Sequence, residues 1–281
     1  EHGFLIVKEK DWVYIDWADM DKDGPLCAEQ MLYAACFRVM AEISEQLGKD
    51  GNVYRQEYEK LTAAIEKFFW DEEKGAYIDS FTSGKRNVTR HANIFAILFD
   101  IADKQKQEKI LTNVLENDEI PAITTPYFNF FELDVLCQMG KLTEVLDKIR
   151  SYWGGMLDLG AVTFWEEYDP SVPKEEQYDM YGDHFGKSLC HAWAASPIYF
   201  LAKYFAGLDL VNKDGVTYVL KPQMQYFTDL DCTLPVGSHG TVRLIWDGEY
   251  LDVTPDADGG VLELGETKFS LVRGETRRVR I

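Results

Sequence analysis

Positive charge is scarce in this chain. Of 281 residues, 29 are Lys or Arg against 48 Asp or Glu, a formal net charge of −19. Nucleic acid and anionic membrane surfaces are held mainly by Lys and Arg that neutralise phosphate, so neither partner is expected. No apolar run reaches the roughly 18 residues that span a bilayer. Cysteine is sparse as well. Cys27, Cys36, Cys137, Cys190 and Cys232 make an odd number with no CxxC pair and no zinc-type spacing. They read as mostly buried free thiols rather than as a disulfide framework or a metal site. The glycine signatures GxGxxG and GxxxxGK[ST] are missing, which leaves nucleotide binding without support. So are GxSxG and HExxH, the marks of a serine-hydrolase elbow and a zinc-protease helix. No cofactor is expected. Aromatic rings, by contrast, are plentiful: 7 Trp, 15 Tyr and 16 Phe make 14% of the chain. Such rings build cores, and they also stack on sugars.

The first two thirds read as helices. Leu26, Met31, Ala34, Ala35, Val39, Met40 and Ile43 recur at helical spacing over 25–47, with Pro25 in the first turn and Gly48 at the end. Further helices are predicted over 53–70, 89–102, 104–116, 126–139, 142–152 and 184–205. Short breaks at 48–52, 102–104 and 140–141 alternate with long ones, which suggests antiparallel helical hairpins arranged in a toroid. Six or seven helices make about half of a twelve-helix toroid. From Asp209 the texture changes to short alternating segments with Gly turns, such as Thr241–Trp246, Asp247-Gly248 and Tyr250–Val253. That pattern predicts a small antiparallel sandwich. The expected fold class is therefore a multidomain α+β chain: a helical toroid of (α/α)6 type over 1–208, incomplete here, and a β-sandwich over 209–281. The opening Glu1-His2-Gly3, running straight into Phe4-Leu5-Ile6-Val7, reads as the middle of a larger protein.

Three segments look like parts of a site. The longest connector holds Trp153-Gly154-Gly155-Met156-Leu157 and then Gly160-Ala161-Val162-Thr163-Phe164-Trp165-Glu166-Glu167-Tyr168-Asp169. Aromatic rings beside carboxylates suit glycoside hydrolysis, where rings hold the sugar and carboxylates move protons. The same residues also suit a loop with surface acids and a core tryptophan. The second segment, Ser188-Leu189-Cys190-His191-Ala192-Trp193, falls on the last predicted helix, where a lone His191 in an apolar run is more often a satisfied core histidine than a functional one. Asp183 could cap that helix. The third is Asp16-Trp17 with Asp19, Asp21 and Asp23. A calcium loop would need Glu near position 30, where Gln30 stands, and would not hold Pro25, so an acidic rim loop is the better reading. Arg90-His91-Ala92-Asn93 caps a helix or reaches a site.

Together these residues resemble the bacterial α-L-rhamnosidases of glycoside hydrolase family 78. The run from Trp153 to Glu166 is similar to that family's WGxML…GATTxWE segment, with Val162 in place of the usual Thr. Ser188 to Trp193 resembles its SxxHxW segment, and Asp16-Trp17 its DW turn. Thr125-Pro126-Tyr127-Phe128 with Gly140 resembles the helical hairpin upstream of these. Pro222 and Leu234-Pro235-Val236-Gly237-Ser238-His239-Gly240 resemble its C-terminal sandwich. The resemblance implies inverting release of terminal α-L-rhamnose from a glycan or glycoside. It implies Glu166 as the general base, with Asp16, Trp17, Trp165, His191 and Trp193 binding substrate and no metal. The family's general acid would lie upstream of Asp16, outside this chain. The chain alone is then expected to have little activity, and its incomplete barrel to associate through exposed core faces. The alternatives are a helical-toroid glycosidase for another sugar, a noncatalytic carbohydrate-binding member, and a helical interaction module.

Overall fold

The computed structural model describes residues 2–8, 10–213, 216–237 and 240–281. Ser238 and His239 of the sandwich motif lie outside the described residues. The chain divides into two compact units, Glu1–Met139 with Gly155–Ala194, and Gly140–Gly154 with Ala195–Ile281.

The first unit is built on helical hairpins. Helix α1 (Cys27–Gln46) and α2 (Asn52–Phe69) pack together, and α1 also packs on α3 (Arg90–Leu98). Gly48 (φ 68°) closes α1 in the left-handed region, so that Lys49 N reaches back to Ser44 O (2.8 Å), a cap that glycine adopts without strain. On α2, Leu61, Ile65 and Phe69 are spaced by four and form the buried stripe. The chain returns through the short strands β1 (Trp70–Asp71) and β2 (Ala76–Tyr77) to α3, which is buried from Arg90 to Ile97 and forms the centre of the unit. Helix α4 (Lys104–Ile110) continues as a π turn to Leu115, and α5 (Pro126–Gln138) packs on α3. Thr125 caps α5 by accepting from Phe128 N, with Pro126 at the first helical position, where its missing N–H costs nothing. The core runs from Phe4 and Ile15 through Met31, Ile65, Ile94 and Phe95 to Phe128 and Val135. After α7 (Gly154–Asp158) the chain is mostly irregular up to Ala194.

The second unit holds α6 (Leu142–Lys148), α8 (Ser196–Phe200) and two four-stranded sheets. One sheet is ordered β3 (Leu208–Lys213), β4 (Val216–Leu220), β8 (Gly260–Leu264), β9 (Thr267–Leu271). The other is β10 (Arg277–Arg280), β7 (Tyr250–Pro255), β6 (Gly240–Trp246), β5 (Leu230–Val236). All pairs are antiparallel except β4 with β8. Tyr218, Leu220 and Leu262 from one sheet bury against the core formed by Val242, Leu244, Leu251 and Val253 from the other, the inner layer of a sandwich.

Three expectations need correction. The helix predicted over 184–205 is absent from 184 to 195 except for a 3-10 turn at Ala192–Ala194; α8 begins at Ser196. Backbone groups that a helix would pair internally are used elsewhere. Lys187 N donates to Tyr178 O (3.2 Å) and His191 N to Phe164 O (2.8 Å), while Ser188 O accepts from Glu166 N (2.9 Å). Accordingly Asp183 caps no helix. The α1 stripe is also narrower than its spacing suggests: Val39, Met40 and Ile43 are exposed, together with Leu32 and Leu47, while Met31, Ala34 and Ala35 are buried. Finally, of the five free thiols only Cys27 and Cys137 are buried; Cys36 and Cys190 are exposed.

Candidate active site

The site-like segments meet within the first unit. Asp16 is buried on an extended segment and pinned from two helices. Thr125, the cap of α5, donates its hydroxyl to Asp16 Oδ1 (2.7 Å), and His91 in the first turn of α3 places Nε2 2.9 Å from Oδ2. Asp16, His91 and Thr125 are 4%, 2% and 0% exposed, so this charged group has no solvent contact to replace those bonds. His91 Nδ1 has no partner among the described residues. A cavity of about 200 Å³ opens beside Asp16, Trp17, Thr89, His91 and Thr124, small against the roughly 300–1,000 Å³ of ordinary ligand pockets.

From Trp17 a series of rings continues. Trp17 meets Tyr14 edge-on at 5.1 Å and Trp193 at 5.5 Å. Trp193 in turn lies 5.0 Å from Tyr127 and 4.4 Å from His191. Tyr127 belongs to the first turn of α5, and His191 and Trp193 stand on the irregular segment before α8.

Glu166 lies beside this group and is 6% exposed. Both of its carboxylate oxygens accept hydrogen bonds, Oε1 from the Tyr181 hydroxyl (3.0 Å) and Oε2 from Ser188 N (3.0 Å). His191 Nδ1 stands 3.9 Å from Oε2. The backbone exchange between 164–166 and 188–191 is what brings His191 to the carboxylate. Gly155 fits tightly upstream: a Cβ there would come 2.3 Å from the Tyr168 hydroxyl, so only glycine lets the chain approach this closely. Glu167 turns away and accepts from Thr124 Oγ1 (3.1 Å), with the buried Lys187 ammonium 3.7 Å from its other oxygen. Burial lowers the Lys187 pKa, and the Glu167 carboxylate opposes that shift. Burial first, and then the charges of Asp16 and Glu166 among others, push the Tyr14 phenol well up. Tyr127 is raised by burial and by Asp16. Both phenols therefore stay un-ionised beside these carboxylates.

The structure thus gathers Asp16, Trp17, Glu166, His191 and Trp193. Trp165 is placed differently: it is 3% exposed and packs on Tyr178 at 5.5 Å. Of the aspartates of the 19–23 loop, Asp21 is already engaged, accepting from the Ser83 hydroxyl and facing Lys85 at 3.7 Å. Among the described residues, no group of three or more His, Cys, Asp or Glu side chains is placed to hold a metal ion. Sequence reasoning missed Tyr14, Tyr127 and Tyr181, and it did not connect His91 and Thr125 with Asp16. Only the Thr125-Pro126 cap, with Tyr127 behind it, carried a local signal.

A domain of helical hairpins holding a buried carboxylate beside aromatic rings is the architecture of a hairpin-type glycosidase. The chain belongs to the bacterial α-L-rhamnosidase six-hairpin glycosidase family, whose domain model matches residues 4–205. Among solved structures it is similar to a family 78 rhamnosidase of Bacillus sp. GL1, with TM-score 0.78 and 22% identity over 95% of this chain and 29% of that one. It is similar to a rhamnosidase from Klebsiella oxytoca with rhamnose bound, with TM-score 0.61 and 30% identity over 72% of this chain and 38% of that one. The α-L-rhamnosidase of Streptomyces avermitilis complexed with L-rhamnose gives TM-score 0.63 and 16% identity over 88% and 24%. The match therefore spans well under half the length of each of these three solved chains. No curated protein sequence matches it.

Proposed function

We propose that this chain forms part of an inverting α-L-rhamnosidase, with Glu166 as the general base. The observation that carries the reading is the Glu166 carboxylate: nearly buried, held at both oxygens, and flanked by His191 and the ring series of Trp17 and Trp193. In an inverting reaction one carboxylate takes a proton from water as the water oxygen bonds the anomeric carbon. A carboxylic acid about 6.5–9.5 Å away protonates the leaving oxygen as the glycosidic bond breaks. We assign that acid to a region outside this chain, so the chain by itself turns over substrate poorly. Trp17 and Trp193 offer apolar faces to the sugar, His191 reaches it beside the base, and Asp16 serves binding from beneath Trp17, tying that segment to Thr125 and His91. Trp165, buried against Tyr178, backs this group from behind without lining the pocket. The substrate is a glycan or glycoside ending in rhamnose, as the rhamnose in two related structures suggests.

We further take residues 1–208 as the catalytic-domain part and 209–281 as the sandwich domain: the family's domain model ends at residue 205 and the first sandwich strand begins at Leu208, whereas the compact units divide earlier, at Ala194, and count Gly140–Gly154 with the strands. The exposed Leu32, Val39 and Ile43 of α1, with Leu47 just after it, support association through that face. The test of function is Glu166→Gln in the intact protein with nitrophenyl rhamnoside. A base loses about 10²–10⁴-fold in kcat with binding retained. A noncatalytic carbohydrate-binding protein shows no turnover in either form, and a preference for another glycoside moves the assignment to that sugar.

A further inference from the structure

Tyr181 sits in a conformation that its local sequence does not favour. Met180 and Asp183 exchange backbone hydrogen bonds (3.0 Å each), which leaves Tyr181 and Gly182 as the two-residue tip of a turn. Both have positive φ, 56° and 81°. Such a tip favours Asn, Asp or Gly, and a tyrosine is strained there. Packing does not offset the strain, because Tyr181 is 68% exposed. Its hydroxyl, however, reaches back to the buried Glu166 and donates to Oε1 at 3.0 Å.

We infer that Tyr181 is a positioning residue for Glu166, fixing the plane of the carboxylate from a strained turn so that one lone pair of Oε1 stays aimed at the attacking water. The inference rests on the assignment of Glu166 as the base. Ser188 N alone holds only Oε2 and leaves the carboxylate free to rotate about that bond; a second donor on the other oxygen removes the rotation. The other polar groups around Glu166 are His191 at 3.9 Å, Tyr14, and Lys187 with Glu167 beyond it. None of these is bonded to Oε1 among the described hydrogen bonds. Strain held at a turn that serves a buried functional group is where such strain is commonly found.

The test compares Tyr181→Phe, Tyr181→Ala and Glu166→Gln in the intact protein with nitrophenyl rhamnoside. Tyr181→Phe keeps the ring and removes only the donor. It should lower kcat roughly tenfold or more, the worth of one hydrogen bond to a charged group, and leave KM within about twofold. Tyr181→Ala should match Tyr181→Phe. Thermal unfolding should be little changed in both, since the side chain is mostly in solvent. If Glu166→Gln is inactive while Tyr181→Phe keeps the wild-type kcat, the positioning role is wrong and the base assignment stands. A rise in KM confined to Tyr181→Ala also overturns it, in favour of stacking on the substrate. If Glu166→Gln retains the wild-type rate, the base assignment fails and the role of Tyr181 falls with it.

Discussion

Replacing Asp16 by Asn separates two roles for that residue, holding the chain and touching the sugar. Asp16 takes one hydrogen from Thr125 (2.7 Å) and faces His91 Nε2 at 2.9 Å, in surroundings closed to water. An ionised carboxylate accepts from both. An asparagine has a single acceptor oxygen, so one of the two donors loses its partner in either orientation of the amide. Moving the ring proton of His91 to Nδ1 does not help, because that nitrogen is buried with no partner among the described residues. A hydrogen bond to a charged group is worth about 1.5–3 kcal/mol, and an orphaned buried donor costs a similar amount. Asp16→Asn is therefore expected to destabilise the first unit by about 1.5–3 kcal/mol, and Asp16→Ala, which loses both bonds, by about 3–6 kcal/mol. For a domain of this size each kcal/mol lowers Tm by roughly 2–4 °C, so the Asn variant should melt about 3–12 °C early. Thermal unfolding followed by near-UV circular dichroism measures this, since tryptophans surround the site. An Asn variant that melts within about 1 °C of the wild type, with a raised KM, refutes the structural role and makes Asp16 a sugar contact.

Two other outcomes follow from the same geometry. Trp193→Ala removes the ring that links Trp17, Tyr127 and His191, and should weaken binding of free rhamnose about tenfold or more in isothermal titration, an amount typical of a lost aromatic contact. Trp165→Phe, on a buried ring packed against Tyr178, should lower Tm and leave the rhamnose affinity within about twofold; the opposite pattern would place Trp165 in the pocket wall. Away from the site, Arg86 holds Asp71 through two hydrogen bonds, of 2.5 and 2.6 Å, which keeps the Asp71 pKa below its ordinary value. A carboxylate whose pKa is lowered by folding stabilises the fold above its unfolded pKa, and that stability is lost as pH falls through the folded value. Arg86→Gln should therefore reduce stability to urea at pH 7, and the difference from wild type should shrink on acidification below about pH 4.

Much of this protein is determined locally. The spacing of Met31, Ala34 and Ala35 along α1, the Thr125-Pro126 start of α5 and the Asp247-Gly248 turn between β6 and β7 each follow from the preferences of neighbouring residues, which act over a few bonds. The run ending Trp165-Glu166 was likewise legible as a candidate site, because acids and rings crowd a connector too long to be only a link. The tertiary structure decided what those residues face. Residues 184–195 have helical spacing but bond their backbone to 164–166 and 178, since a carbonyl or N–H satisfied across the chain no longer drives a helix. Trp165 and Glu166 are neighbours in sequence, yet one ring packs on Tyr178 and the other side chain meets Tyr181 and His191. Tyr181 reaches the carboxylate only because a turn far from any motif folds back over it, and the bond of Asp16 to Thr125 joins residues 109 apart in the chain. Contacts of this kind depend on where whole elements come to rest, which no window of neighbouring residues specifies.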